Sequence, residues 1–164
     1  MLYPLSYGGH PQYRAVRAYP TAATVDSVPS VLVVDDTPSI RLLIRTNLEI
    51  EGFDVEEAVD GLDCLERMFS DKPLPDVLTV DIVMPRLDGL ATVAALRADP
   101  RTASILIVMV TTQAQAADLE RGKKAGIDAY VTKPFDPDHL VQTIKDVYEA
   151  RHGPKPVTRR PGSP

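Results

Sequence analysis

Val31–Val34 is a run of Val, Leu, Val and Val that ends in two adjacent carboxylates, Asp35 and Asp36. A short β-branched run of this kind reads as a strand buried on both faces, as in parallel sheets. The chain repeats the arrangement. VLTVD ends at Asp81, ILIVMVTT ends at Thr111 and Thr112, and IDAYVTKP ends at Lys133 and Pro134. Helical patterns separate these runs, so right-handed crossovers predict an α/β, doubly wound parallel sheet with helices on both faces. Open sheets of this class build their sites at the carboxyl ends of the strands. Three carboxylates, a hydroxyl and an amine gathered there suit a divalent cation and a phosphoryl group.

Five strand–helix units account for the middle of the chain. Strand one is Val31–Val34. Thr37 and Pro38 suit the N-cap and N1 positions of the next helix. Ile40, Leu43, Ile44 and Leu48 are expected on its inner face, and Gly52 ends it. Phe53–Ala58 is a weaker strand, and Asp60 and Gly61 form a turn before a helix carrying Leu65, Met68 and Phe69. Val77–Val80 precedes the loop IVMPRLDG and a helix from Leu90 to Ala98. Ile105–Val110 precedes an alanine-rich helix from Gln113 to Ala125, whose few large apolar residues predict weak attachment. Ile127–Val131 precedes a helix started by Asp136 and Pro137, with Leu140, Ile144 and Val147 inward.

The flanks differ from this core. Residues 1–29, rich in Tyr, Pro and Ala without periodicity, are expected to be a disordered extension. Residues 30–150 form the folded domain. Residues 151–164, RHGPKPVTRRPGSP, hold four Lys/Arg and no acid and are expected to be a disordered basic tail. With the whole chain at a formal net charge of -5, the segment between these ends is acidic. That argues against direct contact with nucleic acid. No apolar run approaches the roughly 18 residues needed to span a bilayer. The N-terminus lacks the pattern of a signal peptide, so the cytoplasm is the expected location. Cys64, the single cysteine, is expected to be a buried thiol. His10, His139 and His152 show no metal-ligand spacing.

VDDTPSIR at Val34–Arg41, DIVMPRLDG at Asp81–Gly89, VTT at Val110–Thr112 and AGIDAYVTKPF at Ala125–Phe135 occur in this order and span nearly all of the middle of the chain. Together they resemble the receiver domain of two-component response regulators, in particular stand-alone, chemotaxis-regulator-like ones. The resemblance implies a flavodoxin-like sheet of strand order 2-1-3-4-5. It implies Asp81 as phosphoacceptor, with Lys133 pairing to the phosphoryl oxygens and Thr111 donating a hydrogen bond to them. Mg²⁺ would be the cofactor, bound directly by Asp36, Asp81 and the backbone carbonyl of Val83, and mainly through water by Asp35. Tyr130 would be an aromatic switch residue responding to Thr111, and Pro134 would follow Lys133 in a cis peptide bond.

The residue chemistry fits those roles. Clustered carboxylates repel one another and an incoming phosphoryl group. Mg²⁺ takes oxygen ligands and offsets that repulsion, and an ammonium stabilises charge on the transferring group. Taken singly, Tyr130 reads better as core, and Lys133 reads equally well as a solvated lysine. Asp88 reads as a turn residue and Arg41 as a surface residue of the first helix. Three functional classes follow. The first is a single-domain response regulator that accepts a phosphoryl group from a sensor histidine kinase or phosphotransfer protein. It would signal by phosphorylation-dependent binding to a downstream effector protein. Its catalysis would be limited to its own phosphorylation and slow dephosphorylation. The second is a degenerate receiver that binds partners constitutively, but such proteins usually lose an acid or the lysine. The third is a haloacid-dehalogenase-type phosphatase, which needs a second carboxylate two residues after the nucleophile; this chain has Val83 there.

Overall fold

The computed structural model describes residues 28–112 and 116–154. In chain order these form β1 (Ser30–Val34), α1 (Pro38–Ile50), β2 (Asp54–Ala58), α2 (Gly61–Met68) and β3 (Val77–Val80). α3 (Gly89–Ala98), β4 (Leu106–Thr111), α4 (Ala116–Lys124), β5 (Ala129–Thr132) and α5 (Pro137–His152) follow. The strands pair in parallel in the order β2-β1-β3-β4-β5, the flavodoxin-like order.

Alternation along each strand sends side chains to two separate cores. Val31 and Val33 of β1 join Ile44 and Leu48 of α1 and Leu140, Val141, Ile144 and Tyr148 of α5. Leu32 and Val34 join Cys64 and Met68 of α2 and Val93 and Leu96 of α3 on the opposite face. A sheet covered on both faces needs strands that are buried along their length and mainly apolar, and β1, β3 and β4 are, with Ser30, Thr79 and Thr111 as their polar residues. Cys64 is fully buried, as expected, and burial pushes its thiol up to about 12.

Several boundaries and faces differ from the sequence reading. Leu43 is 39% exposed, because the buried stripe of α1 runs through Ile44 and Leu48 and leaves Leu43 at its rim. Thr37 occupies the N-cap position of α1 but makes no side-chain cap; the Asp35 carboxylate instead accepts from the Thr37 amide at 2.8 Å. Ile127 lies in the connection between α4 and β5 rather than in β5, which starts at Ala129; its amide donates to Gly122 O, just beyond the end of the helix. Helix α5 runs to His152, two residues into the segment expected to be tail. It is held there by a hydrogen bond from Arg151 to the Ser104 carbonyl and by His152 packing 4.5 Å from the Tyr148 ring. Pro29, at the end of the expected extension, is tied to β2, its carbonyl accepting from the Asp54 amide at 2.9 Å. Residues 1–27 and 155–164, and the expected start of the fourth helix at Gln113, lie outside the described residues.

At the amino edge of the sheet, Arg97 of α3 donates to the carbonyls of Ala103, Ile105 and Gly126 at 3.1, 2.9 and 2.6 Å. Asp128 lies 3.7 Å from the same guanidinium and accepts from the Ile107 amide. One side chain therefore fastens the approaches to both β4 and β5.

Thr79, at the centre of β3, has a buried hydroxyl with no hydrogen-bond partner among the described residues. Its register neighbours are Val33 and Val108. An unsatisfied buried hydroxyl costs stability that a methyl group of the same shape does not. Thr79→Val should therefore raise the free energy of unfolding by about 1 kcal/mol, read from the midpoint of urea denaturation. A lower midpoint would show that the hydroxyl is satisfied.

Candidate functional site

β1 and β3 are neighbours, so the residues that follow them, Asp35 and Asp81, meet at the carboxyl edge of the sheet. Asp35 is 1% exposed and Asp81 is 7% exposed, whereas Asp36 is exposed. One oxygen from each of the three carboxylates lies within 4.8 Å of the others. Lys133, just past the end of β5, sends its ammonium into this cluster. It donates to Asp35 Oδ2 at 2.5 Å and to Asp81 Oδ2 at 2.9 Å. Burial pulls the ammonium toward its neutral form, but the bonds from Asp35 and Asp81 outweigh it and hold the group above the ordinary lysine range. Lys133 is followed by a cis bond to Pro134.

The remaining bonds set the direction of each carboxylate. Asp35 spends one oxygen on the Thr37 amide and the other on Lys133. Asp81 Oδ1 accepts from the Val83 amide at 3.2 Å. Val83 is 51% exposed beside the cluster, while Ile82 and Met84 on either side are buried in the core. Thr111 ends β4 fully buried, and its carbonyl accepts from the Lys133 amide at 2.9 Å. The fold thus brings together Asp35, Asp36, Asp81 and Lys133, with Thr111 joined through the backbone. Tyr130 is not in the cluster. It is half-buried against the α2–α3 face, close to Gly122 of α4, where an added Cβ would come within 3.4 Å of the ring.

Two contributors escaped the sequence reading. Arg41 is not a surface residue. Its side chain is largely buried, its Nη1 donates to Asp35 O at 2.7 Å, and its Nε lies 3.5 Å from Glu57. Side chains of a helix lean toward its N-terminus, so a residue one turn into α1 covers the strand end that precedes it. Gly89 is the second. A Cβ there would stand 2.0 Å from the Asp81 carbonyl oxygen, so only glycine lets α3 begin directly against the backbone of Asp81. The Gly89 amide also donates to Ile82 O at 2.8 Å. Asp88, read as a turn residue, is the N-cap of α3, accepting from the Ala91 amide at 2.8 Å.

The donor set is one that could hold a hard cation. Three carboxylates converge on one point, and Asp36 faces solvent. Oxygen ligands with room for water are what Mg²⁺ and similar ions take, so the residues fit such an ion.

Charge pairing at Lys133 makes stability depend on pH. The folded ammonium holds its proton more tightly than the unfolded one. Its contribution is therefore complete below the unfolded value of about 10.4 and is lost as pH rises through the folded value. Lys133→Met should lower the urea midpoint near neutral pH, and the gap to wild type should close only as pH rises above the ordinary lysine range. A gap that stays constant through the alkaline range would show that packing, not charge, is what the lysine supplies.

Comparison with known proteins places the whole architecture. Residues 31–145 match the family model described as the response regulator receiver domain. The chain is 36% identical over 106 residues to protein PilG of Pseudomonas aeruginosa, covering 65% of this chain and 77% of that one. It is 36% identical over 103 residues to the DNA-binding dual master transcriptional regulator RpaA of Synechocystis, covering 63% of this chain but only 42% of that protein. Among solved structures, the chemotaxis protein CheY4 of Vibrio cholerae aligns with a TM-score of 0.69 and 33% identity over 74% of this chain and 99% of that one. With a carboxylate cluster and a paired lysine at the carboxyl edge of a 2-1-3-4-5 sheet, this chain belongs to the response regulator receiver domain family.

Proposed function

We propose that the chain is a phosphoacceptor switch in which Asp81 receives a phosphoryl group from a phosphohistidine of a sensor kinase or phosphotransfer protein. The observation that carries this reading is the convergence of Asp35, Asp36 and Asp81 within 4.8 Å, with Lys133 bonded to two of them. In the transfer, an oxygen of Asp81 forms a bond to phosphorus as the phosphorus–nitrogen bond of the donor breaks. The electron pair leaves with the imidazole. Lys133, already within 2.9 Å of Asp81 Oδ2, exchanges a carboxylate partner for a phosphoryl oxygen. Thr111 donates its hydroxyl to another oxygen of that group.

Asp36, Asp81 and the Val83 carbonyl would hold Mg²⁺ directly, and Asp35 would hold it through water. When bound, the ion supplies positive charge against the carboxylates and the phosphoryl oxygens. The role split between the two neighbouring acids is supported by their surroundings. Both oxygens of Asp35 already have partners, whereas Asp36 is exposed.

The signal leaves by a change of protein partner, not by turnover of a substrate. Thr111 is joined through its carbonyl to Lys133, and Tyr130 on the same strand as Thr132 packs close to α4. A shift of Thr111 toward a phosphoryl group would free space for Tyr130 and reposition α4, biasing a face between two arrangements. The receiver's acidity favours a protein as the downstream partner over direct contact with nucleic acid. No described helix is long and apolar enough to cross a membrane; we place the protein's action in the cytoplasm.

Incubation with Mg²⁺ and a small acyl-phosphate donor should add one base-labile phosphoryl group, lost in Asp81→Asn. Equal labelling of that variant would remove Asp81 from the role. Titration with Mg²⁺ should show a larger loss of affinity for Asp36→Ala than for Asp35→Ala. The reverse order would overturn the division of ligand roles.

A further inference from the structure

Asp60 and Arg86 lie outside the carboxylate cluster and have no part in the chemistry above. Asp60 is 3% exposed. One of its oxygens caps α2, accepting from the Asp63 amide at 2.9 Å. The other receives Nε and Nη2 of Arg86, both at 2.5 Å. Burial pushes the Asp60 carboxyl up, but the Asp63 amide and the Arg86 guanidinium outweigh it and hold it below the usual range. A charge removed from water this far is tolerated because it is paired and hydrogen-bonded.

Arg86 sits in the loop that joins Asp81 to α3. Its φ of 66° is in the left-handed region, unlike that of any other described non-glycine residue. Such a conformation persists only where the surroundings hold it. The next residue is held as well. An added Cβ on Gly61 would meet the Leu87 carbonyl at 2.6 Å and Thr92 Oγ1 at 2.2 Å, so the loop lies directly on the first residue of α2. The loop therefore has two supports side by side, one ionic at Arg86 and one steric at Leu87. It also closes on the site itself. The Val83 amide donates to Asp81 Oδ1, and Gly89 N donates to Ile82 O.

We infer that the Asp60–Arg86 pair is a positioning device for the Asp81 loop, fixing the Val83 backbone beside the carboxylate cluster from a separate βα connection. The inference rests on the reading of Asp81 as phosphoacceptor with a divalent cation beside it. Removing the pair leaves every proposed ligand in the chain but lets the turn that carries Val83 drift. Metal affinity then falls while the two cores are untouched.

Two variants test this without disturbing the caps or the backbone. Asp60→Asn keeps an oxygen for the Asp63 amide, because asparagine caps helices as well as aspartate does. Arg86→Asn removes the guanidinium and keeps a residue that tolerates left-handed backbone. Amide hydrogen exchange from Val83 to Gly89, measured without added metal, should speed up in each variant and no further in the double variant. Mg²⁺ affinity should fall roughly tenfold, the lower end of the cost of losing a partner that orients a metal ligand. The double variant should again match the singles, and the urea midpoint should change much less. Unchanged loop exchange, losses that add in the double variant, or affinity that falls only in step with global stability would each overturn the inference. If wild type proves not to be labelled at Asp81, the phosphoacceptor reading fails on its own. The exchange comparison still decides whether the pair holds the loop.

Discussion

Asp35 and Asp81 end strands that pair directly, and parallel strands lie only about 4.8 Å apart, so the sheet itself forces two carboxylates together. Without a counter-charge that juxtaposition would oppose folding. Lys133 supplies the charge from β5, reaching back across the end of β4 to both acids. Much of the surrounding structure keeps this triad in place. Arg41 holds the Asp35 carbonyl, Thr37 takes the second Asp35 oxygen, and Gly89 admits α3 against the Asp81 backbone. An ammonium already shared between two acids can transfer one of its bonds to an arriving anion with little reorganisation.

The fold was largely legible because buried parallel strands announce themselves as apolar runs, and each run here ends in a polar residue at the same edge. Periodicity located all five helices and the inward stripe of α5. The acids and the lysine of the cluster were legible for the same reason, as strand-end residues. What failed to show was whatever depends on direction or close approach. Leu43 and Ile44 differ by one residue, yet only Ile44 is buried, because about 100° of rotation per residue separates rim from core. Arg41 looks like any charged residue on a helix until the strand end beneath it is known. Gly89 looks like a loop glycine until the distance to the Asp81 carbonyl is known. The end of α5 was misjudged because RHG reads as polar tail, whereas Arg151 finds a carbonyl and His152 a ring.

Tyr130 shows a different kind of ambiguity. A strand aromatic reads as core, and the ring is indeed packed against the α2–α3 face. Its proposed role depends on its neighbour across the gap. Gly122 gives the ring room that any side chain would take, an added Cβ there lying 3.0 Å from Ile127 Cδ1. Core packing and switching are thus not exclusive readings of this position. Small residues beside an aromatic ring are what allow it more than one setting.

Arg97 binds three carbonyls at the edge of the sheet opposite the carboxylates, fastening the starts of β4 and β5 together. The two strands are therefore pinned at one end and lead to Thr111 and Lys133 at the other. A disturbance at Thr111 or Lys133 cannot slide them bodily past their neighbours. The tips of β4 and β5, where the connections to α4 and α5 begin, lie farthest from that fastening. Whatever freedom the two strands keep therefore lies at the carboxylate rim, away from the packing of the two cores.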